Sequence, residues 1–176
     1  KSSIFCDVIT DNCVTIPTLN QSLLVELILV INYKLKRPFM VDNINVYRIN
    51  AGSCNGCDVE LLASILVPKF GFDSLQCTYT NTPEEANIVI VTGSITTRSK
   101  PFLEATLKRL PENKVVVAMG ICPVTGGVFR DSYSIEGPLD RFVNVDVNIA
   151  GCPPPPQSIV DGLVKACALW KEKVNA

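Results

Sequence analysis

An α/β fold, with a parallel sheet covered by helices on both faces, is what this sequence predicts, on three observations. Two unbroken apolar runs, ANIVIVTG (86–93) and NKVVVAMG (113–120), have the character of strands buried on both sides. Amphipathic stretches of helical period, such as SKPFLEATLKRL (99–110), separate and follow such runs. From residue 44 onward the strand and helix patterns alternate, the order that builds parallel βαβ units. The 176 residues suit one such domain with a sizeable core.

Taken in order, residues 1–18 contain Cys6, Cys13 and Pro17 and show no periodicity, so an irregular segment is expected. LNQSLLVELILVINYK (19–34) predicts a helix. Asn20 is placed as its N-cap, and Leu23, Leu24, Leu27, Ile28 and Ile31 form one apolar face. The run is too short to cross a bilayer, carries Glu26, and ends in the basic Lys34, Lys36 and Arg37. Residues 1–43 are therefore expected as an N-terminal segment with one apolar helix, packed on a neighbour or lying at a membrane interface. The domain proper is expected over 44–176. INVYRIN (44–50) predicts a strand, DVELLASILVPKF a helix broken at Pro68, and SLQCTYT (74–80) a short strand. After the two apolar strands and the helix between them, VNVDVNIAG (143–151) alternates as a later strand. PQSIVDGLVKACALWKEK (156–173) predicts the closing helix, with Pro156 in its first turn.

Composition narrows the chemistry. The chain is 47% apolar and 19% charged, with a formal net charge of −1 and no histidine. With no basic stripe, nucleic acid is an unfavoured partner. Without histidine there is no Ser-His-Asp or Cys-His catalysis and no His-containing zinc site. Against that absence stand eight cysteines, Cys6, Cys13, Cys54, Cys57, Cys77, Cys122, Cys152 and Cys167. No signal-peptide pattern precedes them, and a chain of this size does not need disulfides to hold a core, so metal binding is the expected use.

Four of the eight follow predicted strands. Cys54 and Cys57 come after 44–50, Cys122 directly after 113–120, and Cys152 directly after 143–151. In an open parallel sheet, ligands bind outside the carboxyl ends of the strands, so these four can converge on one edge. Glycines flank them at 52, 56, 120, 126, 127 and 151, allowing close backbone approach. Cys57 opens a predicted helix, whose free N–H groups favour a thiolate and an anionic group. Four thiolates hold either zinc or an iron–sulfur cluster. Structural zinc generally takes two short C-x-x-C knuckles, and only one is present, which favours a [4Fe–4S] cluster. A zinc-stabilised structural subunit and a redox dithiol at Cys54/Cys57 stay open as alternatives. Cys77, within a strand, and Cys167, within a helix, are expected in core packing. Cys6 and Cys13 form no recognisable knuckle.

AGSCNGCDVELL, AMGICPVTGGVF and VDVNIAGCPPPP, in that order, resemble the small, iron–sulfur subunit of [NiFe] hydrogenases and its homologue in respiratory complex I. The resemblance runs from about Ile44 to Ala168. It implies a flavodoxin-like fold carrying one [4Fe–4S] cluster on Cys54, Cys57, Cys122 and Cys152, beside a large catalytic subunit. The C-N-G-C spacing is similar to that of the membrane-bound, energy-converting type, whereas the complex I homologue usually has adjacent cysteines there. The implied role is a non-catalytic electron relay of an oxidoreductase. A ferredoxin-like subunit would feed it, and the large-subunit nickel–iron site would receive from it, at the cytoplasmic face of the membrane. A membrane subunit is implied as a possible contact of 19–37. A homologous complex reducing a quinone, a phenazine or a sulfur species is the alternative. The family commonly has an arginine near the position of Pro155, a departure in this chain. The resemblance also places Glu60, Ser94, Thr96 and Arg98 near the cluster, as sulfur hydrogen-bond donors, partner contacts or, for Glu60, a group coupling protonation to reduction. Glu60 and Asp58 have a plainer reading as acids complementing a helix N-terminus, and Ser94, Thr96 and Arg98 have one as a solvated helix N-cap region.

Overall fold

The computed structural model describes residues 4–6, 13–15, 44–70, 75 and 77–175. The chain divides into two units, Lys1–Val41 and Asp42–Ala176. In the first, β1 (Ile4–Cys6) and β2 (Cys13–Thr15) pair antiparallel, with Phe5 opposite Val14. The expectation of an irregular segment over 1–18 is thereby corrected. Both short runs are rich in β-branched and aromatic residue types, which favour extended backbone even over lengths too short to show a period. The helix expected over 19–34 lies outside the described residues.

The second unit is built on β3 (Ile44–Asn50), β4 (Cys77–Tyr79), β5 (Ile88–Thr92), β7 (Val115–Met119) and β9 (Val147–Ile149), all parallel, in the spatial order β4-β3-β5-β7-β9. Counting only these five, the order is 2-1-3-4-5, the flavodoxin-like winding. Its direction of winding reverses between β3 and β5, the point at whose carboxyl ends open α/β sheets bind their ligands.

The doubly buried strands are explained by which face each residue takes. Ile88 and Ile90 of β5 join Val115, Val117 and Met119 of β7 on one face, under α1 (Gly56–Leu66) and α4 (Pro156–Asn175). Val89 and Val91 join Val116 and Ala118 on the other, against Leu103 of α2 (Lys100–Arg109) and Leu139. Every residue of β5 and β7 is buried, and each large aliphatic side chain taken from water contributes about 1.5–3 kcal/mol. These two strands form the rigid centre on which the carboxyl-end loops stand.

Helix α1 begins at Gly56, two residues before the predicted start, so Cys57 falls inside its first turn. It stops at Leu66 because Pro68 drives Val67 to extended backbone (φ −97°, ψ 109°). Three elements were not predicted. The short helix α3 (Ile121–Thr125) follows β7 without a break and is closed by Gly126 in the left-handed region, whose N–H donates to the Cys122 carbonyl at 2.8 Å. The strands β6 (Ile95–Thr96) and β8 (Ile135–Gly137) pair antiparallel beside the main sheet.

Candidate metal centre

Four cysteines leave the carboxyl ends of three sheet strands. Cys54 lies in the loop after β3 and Cys57 in the first turn of α1. Cys122 is the second residue of α3 after β7, and Cys152 sits in the turn after β9. Cys54 and Cys152 are exposed, while Cys57 and Cys122 are half-buried.

The first loop is shaped by Asn50. Its Oδ1 accepts from the backbone N–H groups of Gly52 (2.9 Å) and Ser53 (2.8 Å), and Ser53 Oγ accepts from the Asn55 N–H (3.0 Å). Asn55 takes φ 69°, a left-handed conformation that asparagine tolerates. The loops are also laced to one another. The Ala51 N–H donates to the Thr92 carbonyl, the Gly120 N–H to the Ile149 carbonyl and the Ile121 N–H to the Gly151 carbonyl, each at 2.8 Å. The Cys122 and Cys152 loops are thus joined backbone to backbone.

Asp58, expected only to complement the helix dipole, has a larger part. It is 5% exposed. Its carboxylate meets Arg48 Nη1 of β3 at 2.8 Å, accepts from Thr92 Oγ1 of β5 at 2.9 Å, and receives a weaker contact from Asn50 Nδ2 at 3.4 Å. One side chain therefore ties the start of α1 to two strands. The sequence signal was the acid directly after Cys57, but its partners lie 10 and 34 positions away.

Three thiols stand against glycines, of which Gly120 has no room for a side chain, Gly127 little, and Gly56 ordinary contact distance. A Cβ on Gly120 would lie 2.5 Å from Cys57 Sγ, on Gly127 3.3 Å from Cys122 Sγ, and on Gly56 3.5 Å from Cys54 Sγ. Burial, then the negative charge of Cys122, Asp58, Cys54 and Cys152, push the Cys57 thiol up to about 11. The other three sulfurs are therefore within electrostatic reach of Cys57. Among the described residues no three Cys, Asp or Glu side chains are gathered tightly enough to close on a single metal ion.

Ser94, Thr96, Arg98 and Glu60 make no hydrogen bond or ion pair to a cysteine thiol among the described residues. Ser94 is buried, with its carbonyl backed against Gly52. Thr96 exchanges hydrogen bonds with Ser99, whose Oγ donates to the Ala51 carbonyl at 2.6 Å. Both therefore support the Cys54 loop from behind. Arg98 is exposed and Glu60 half-buried.

Fold and site together define a class, a flavodoxin-like α/β domain with thiols lining the carboxyl rim of its sheet. Residues 54–166, which contain all four cysteines, match the family described as the 20 kDa subunit of NADH ubiquinone oxidoreductase. The chain is 40% identical over 121 residues to the probable membrane-bound hydrogenase subunit mbhJ of Pyrococcus furiosus, covering 69% of this chain and 72% of that protein. It is 34% identical over 131 residues to formate hydrogenlyase subunit 7 of Escherichia coli, covering 74% of this chain and about half, 51%, of that protein. The fold is also that of a chain in the membrane-bound sulfane sulfur reductase, an archaeal respiratory membrane complex, with a TM-score of 0.62 at 24% identity over 81% of this chain and 76% of that one. The chain belongs to the 20 kDa subunit family of NADH ubiquinone oxidoreductase, a family of oxidoreductase subunits.

Two outcomes follow from this geometry. Asp58→Ala removes the partner of Arg48 and leaves the Thr92 hydroxyl unpaired in the interior, so the cluster-free chain should lose about 1–3 kcal/mol in denaturant unfolding. Glu60→Ala, one residue pair further along the same helix, should stay within about 0.5 kcal/mol; equal losses would contradict the assigned role of Asp58. The folded cluster-free chain also keeps the Cys57 proton where the unfolded chain gives it up. Alkylation of Cys57, followed by mass spectrometry, should stay slow at pH 9 and rise only towards about 11. Fold stability should fall over the same interval as pH rises. A Cys57 that alkylates alike in folded and urea-unfolded chains would contradict it.

Proposed function

We propose that Cys54, Cys57, Cys122 and Cys152 hold one [4Fe–4S] cluster and that the chain is the electron-relaying subunit of a membrane-associated [NiFe] hydrogenase complex. The observation that carries this reading is the convergence of four thiols from three strand-end loops on one rim, with Cys57 against Gly120, whose missing side chain leaves room for the sulfur. Zinc draws its ligand sulfurs to about 2.3 Å from one centre, whereas a cubane's ligands stand further apart around it. Structural zinc generally takes two short C-x-x-C knuckles and this chain has one, at Cys54 and Cys57, which favours the cubane. Such a cluster, when bound, takes up and gives back single electrons.

The protein's part is to hold, tune and shield. Asp58 fixes the helix that carries Cys57, and the paired β7 and β9 loops fix Cys122 and Cys152. Half-burial of Cys57 and Cys122 keeps water from the inner side. The exposed Cys54 and Cys152 face outward, where a large catalytic subunit covers them and receives the electron. A ferredoxin-like subunit delivers it. Residues 19–37 are the proposed contact with a membrane subunit, and the complex lies at the cytoplasmic face. No helix among the described residues is long and apolar enough to cross a membrane. The hydrogenase assignment over a quinone, phenazine or sulfur reductase rests on the C-N-G-C spacing and on the 40% identity to a membrane-bound hydrogenase subunit.

The test uses the whole complex isolated with this chain, reduced ferredoxin as donor, and hydrogen measured by gas chromatography. Hydrogen should form at two electrons each. Cys122→Ser should cut the rate by more than the ~10–100-fold typical of changes around a metal's ligands, with the complex still assembled by gel filtration. Oxidation of ferredoxin without hydrogen, accompanied by loss of an added quinone or polysulfide, would overturn the hydrogenase assignment.

A further inference from the structure

Cys77 and Cys167, expected to be separate core residues, are neighbours. Cys77 opens β4 and Cys167 lies in α4, 90 positions on, yet their Sγ atoms are 3.5 Å apart. Both border the core beneath α1 and α4. Cys167 is 8% exposed and Cys77 is half-buried, so a small solute reaches the pair from the β4 side. Lys171 follows Cys167 by one helical turn. The hydrogen bond between the two sulfurs, with the Lys171 charge adding, holds Cys167 below the ordinary thiol range, while that same hydrogen bond and burial hold Cys77 above it. Either sulfur can be the donor, and the two are in contact. Among the described residues β4 is the outermost strand of the sheet, three residues long and paired only to β3. It can shift by the ~1.5 Å that separates these sulfurs from disulfide bonding distance.

We propose that Cys77 and Cys167 are a redox-responsive dithiol, closed to a disulfide by a small two-electron oxidant such as hydrogen peroxide, which staples the edge strand to the closing helix. The Cys167 thiolate attacks one peroxide oxygen, the O–O bond breaks, and the departing hydroxide takes the thiolate's former proton to leave as water. The Cys77 sulfur then attacks the Cys167 sulfenic sulfur. The S–S bond forms, the S–O bond breaks, and hydroxide leaves with the Cys77 proton as a second water. In sum, two thiols and one peroxide give one disulfide and two waters, the sulfurs losing two electrons and the peroxide oxygens gaining them. The bond closes a loop of some 90 residues, which constrains the unfolded chain more than a short loop would. This pair is independent of the proposed cluster and uses none of its cysteines.

The test is peroxide treatment of the full chain, alkylation of remaining thiols under denaturing conditions, proteolysis and mass spectrometry. A peptide pair joining Cys77 to Cys167, two hydrogen masses lighter than its parts and split by dithiothreitol, is expected. The thermal midpoint should rise by about 5–15 °C on oxidation and not in Cys77→Ala or Cys167→Ala. Recovery of both residues as alkylated thiols, as separate sulfinic acids, or bonded to other cysteines would overturn the proposal. A bond that leaves the midpoint unmoved would overturn the staple. The peptide map of the wild-type chain decides the pairing whether or not the variants fold.

Discussion

The Asp58 carboxylate, held between Arg48 and Thr92, is the constraint on which the arrangement of the rim depends. An ionised acid that is 5% exposed is costly unless it is paired and hydrogen-bonded, and here it is both. The gain in stability is modest, because Arg48 stays 31% exposed and its Nε is buried without a hydrogen-bond partner. What the contact supplies is position. It joins the first turn of α1 to β3 and to β5, across the point where the sheet reverses its winding. Cys57 is the neighbouring residue, so fixing Asp58 fixes where that thiol emerges.

From that anchor the rest of the rim follows by backbone contacts. Asn50 folds the loop that carries Cys54, and Ser99 braces it through the Ala51 carbonyl. The β7 and β9 loops share two hydrogen bonds and bring Cys122 beside Cys152. Gathering four thiols has an electrostatic cost, visible in the upward push on Cys57 from burial and from its neighbours. In the proposed cluster-bound form, iron ions take the place of the protons and offset that cost.

Much of this was legible in the sequence, for identifiable reasons. β5 and β7 are unbroken apolar runs because both their faces are covered, and the four cysteines each follow a strand, so their convergence could be read from order alone. The hairpin strands β6 and β8 and the helix α3 could not. They are two, three and five residues long, too short for a strand or helix period to repeat, and α3 carries Pro123 within it. Asp58 was misjudged because a first-turn acid has a sufficient local explanation, and its real partners sit on strands that only the folded sheet brings near. Thr96 bonds Ser99, which in turn holds the Ala51 carbonyl, a contact across 48 positions that no local pattern reveals. Cys77 and Cys167 looked like isolated core residues because nothing in a strand pattern and a helix pattern reveals that one packs on the other.

The central claim, that four strand-end thiols hold a cubane, is tested most directly by iron, acid-labile sulfide and zinc analysis of the anaerobically purified chain, with low-temperature electron paramagnetic resonance of its reduced form. The account predicts about four irons and four sulfides per chain, with a reduced-state signal that is altered or lost in Cys122→Ser. Zinc bound in place of iron, with no sulfide and no signal, would contradict it and leave the flavodoxin-like fold as a structural subunit without a part in electron transfer.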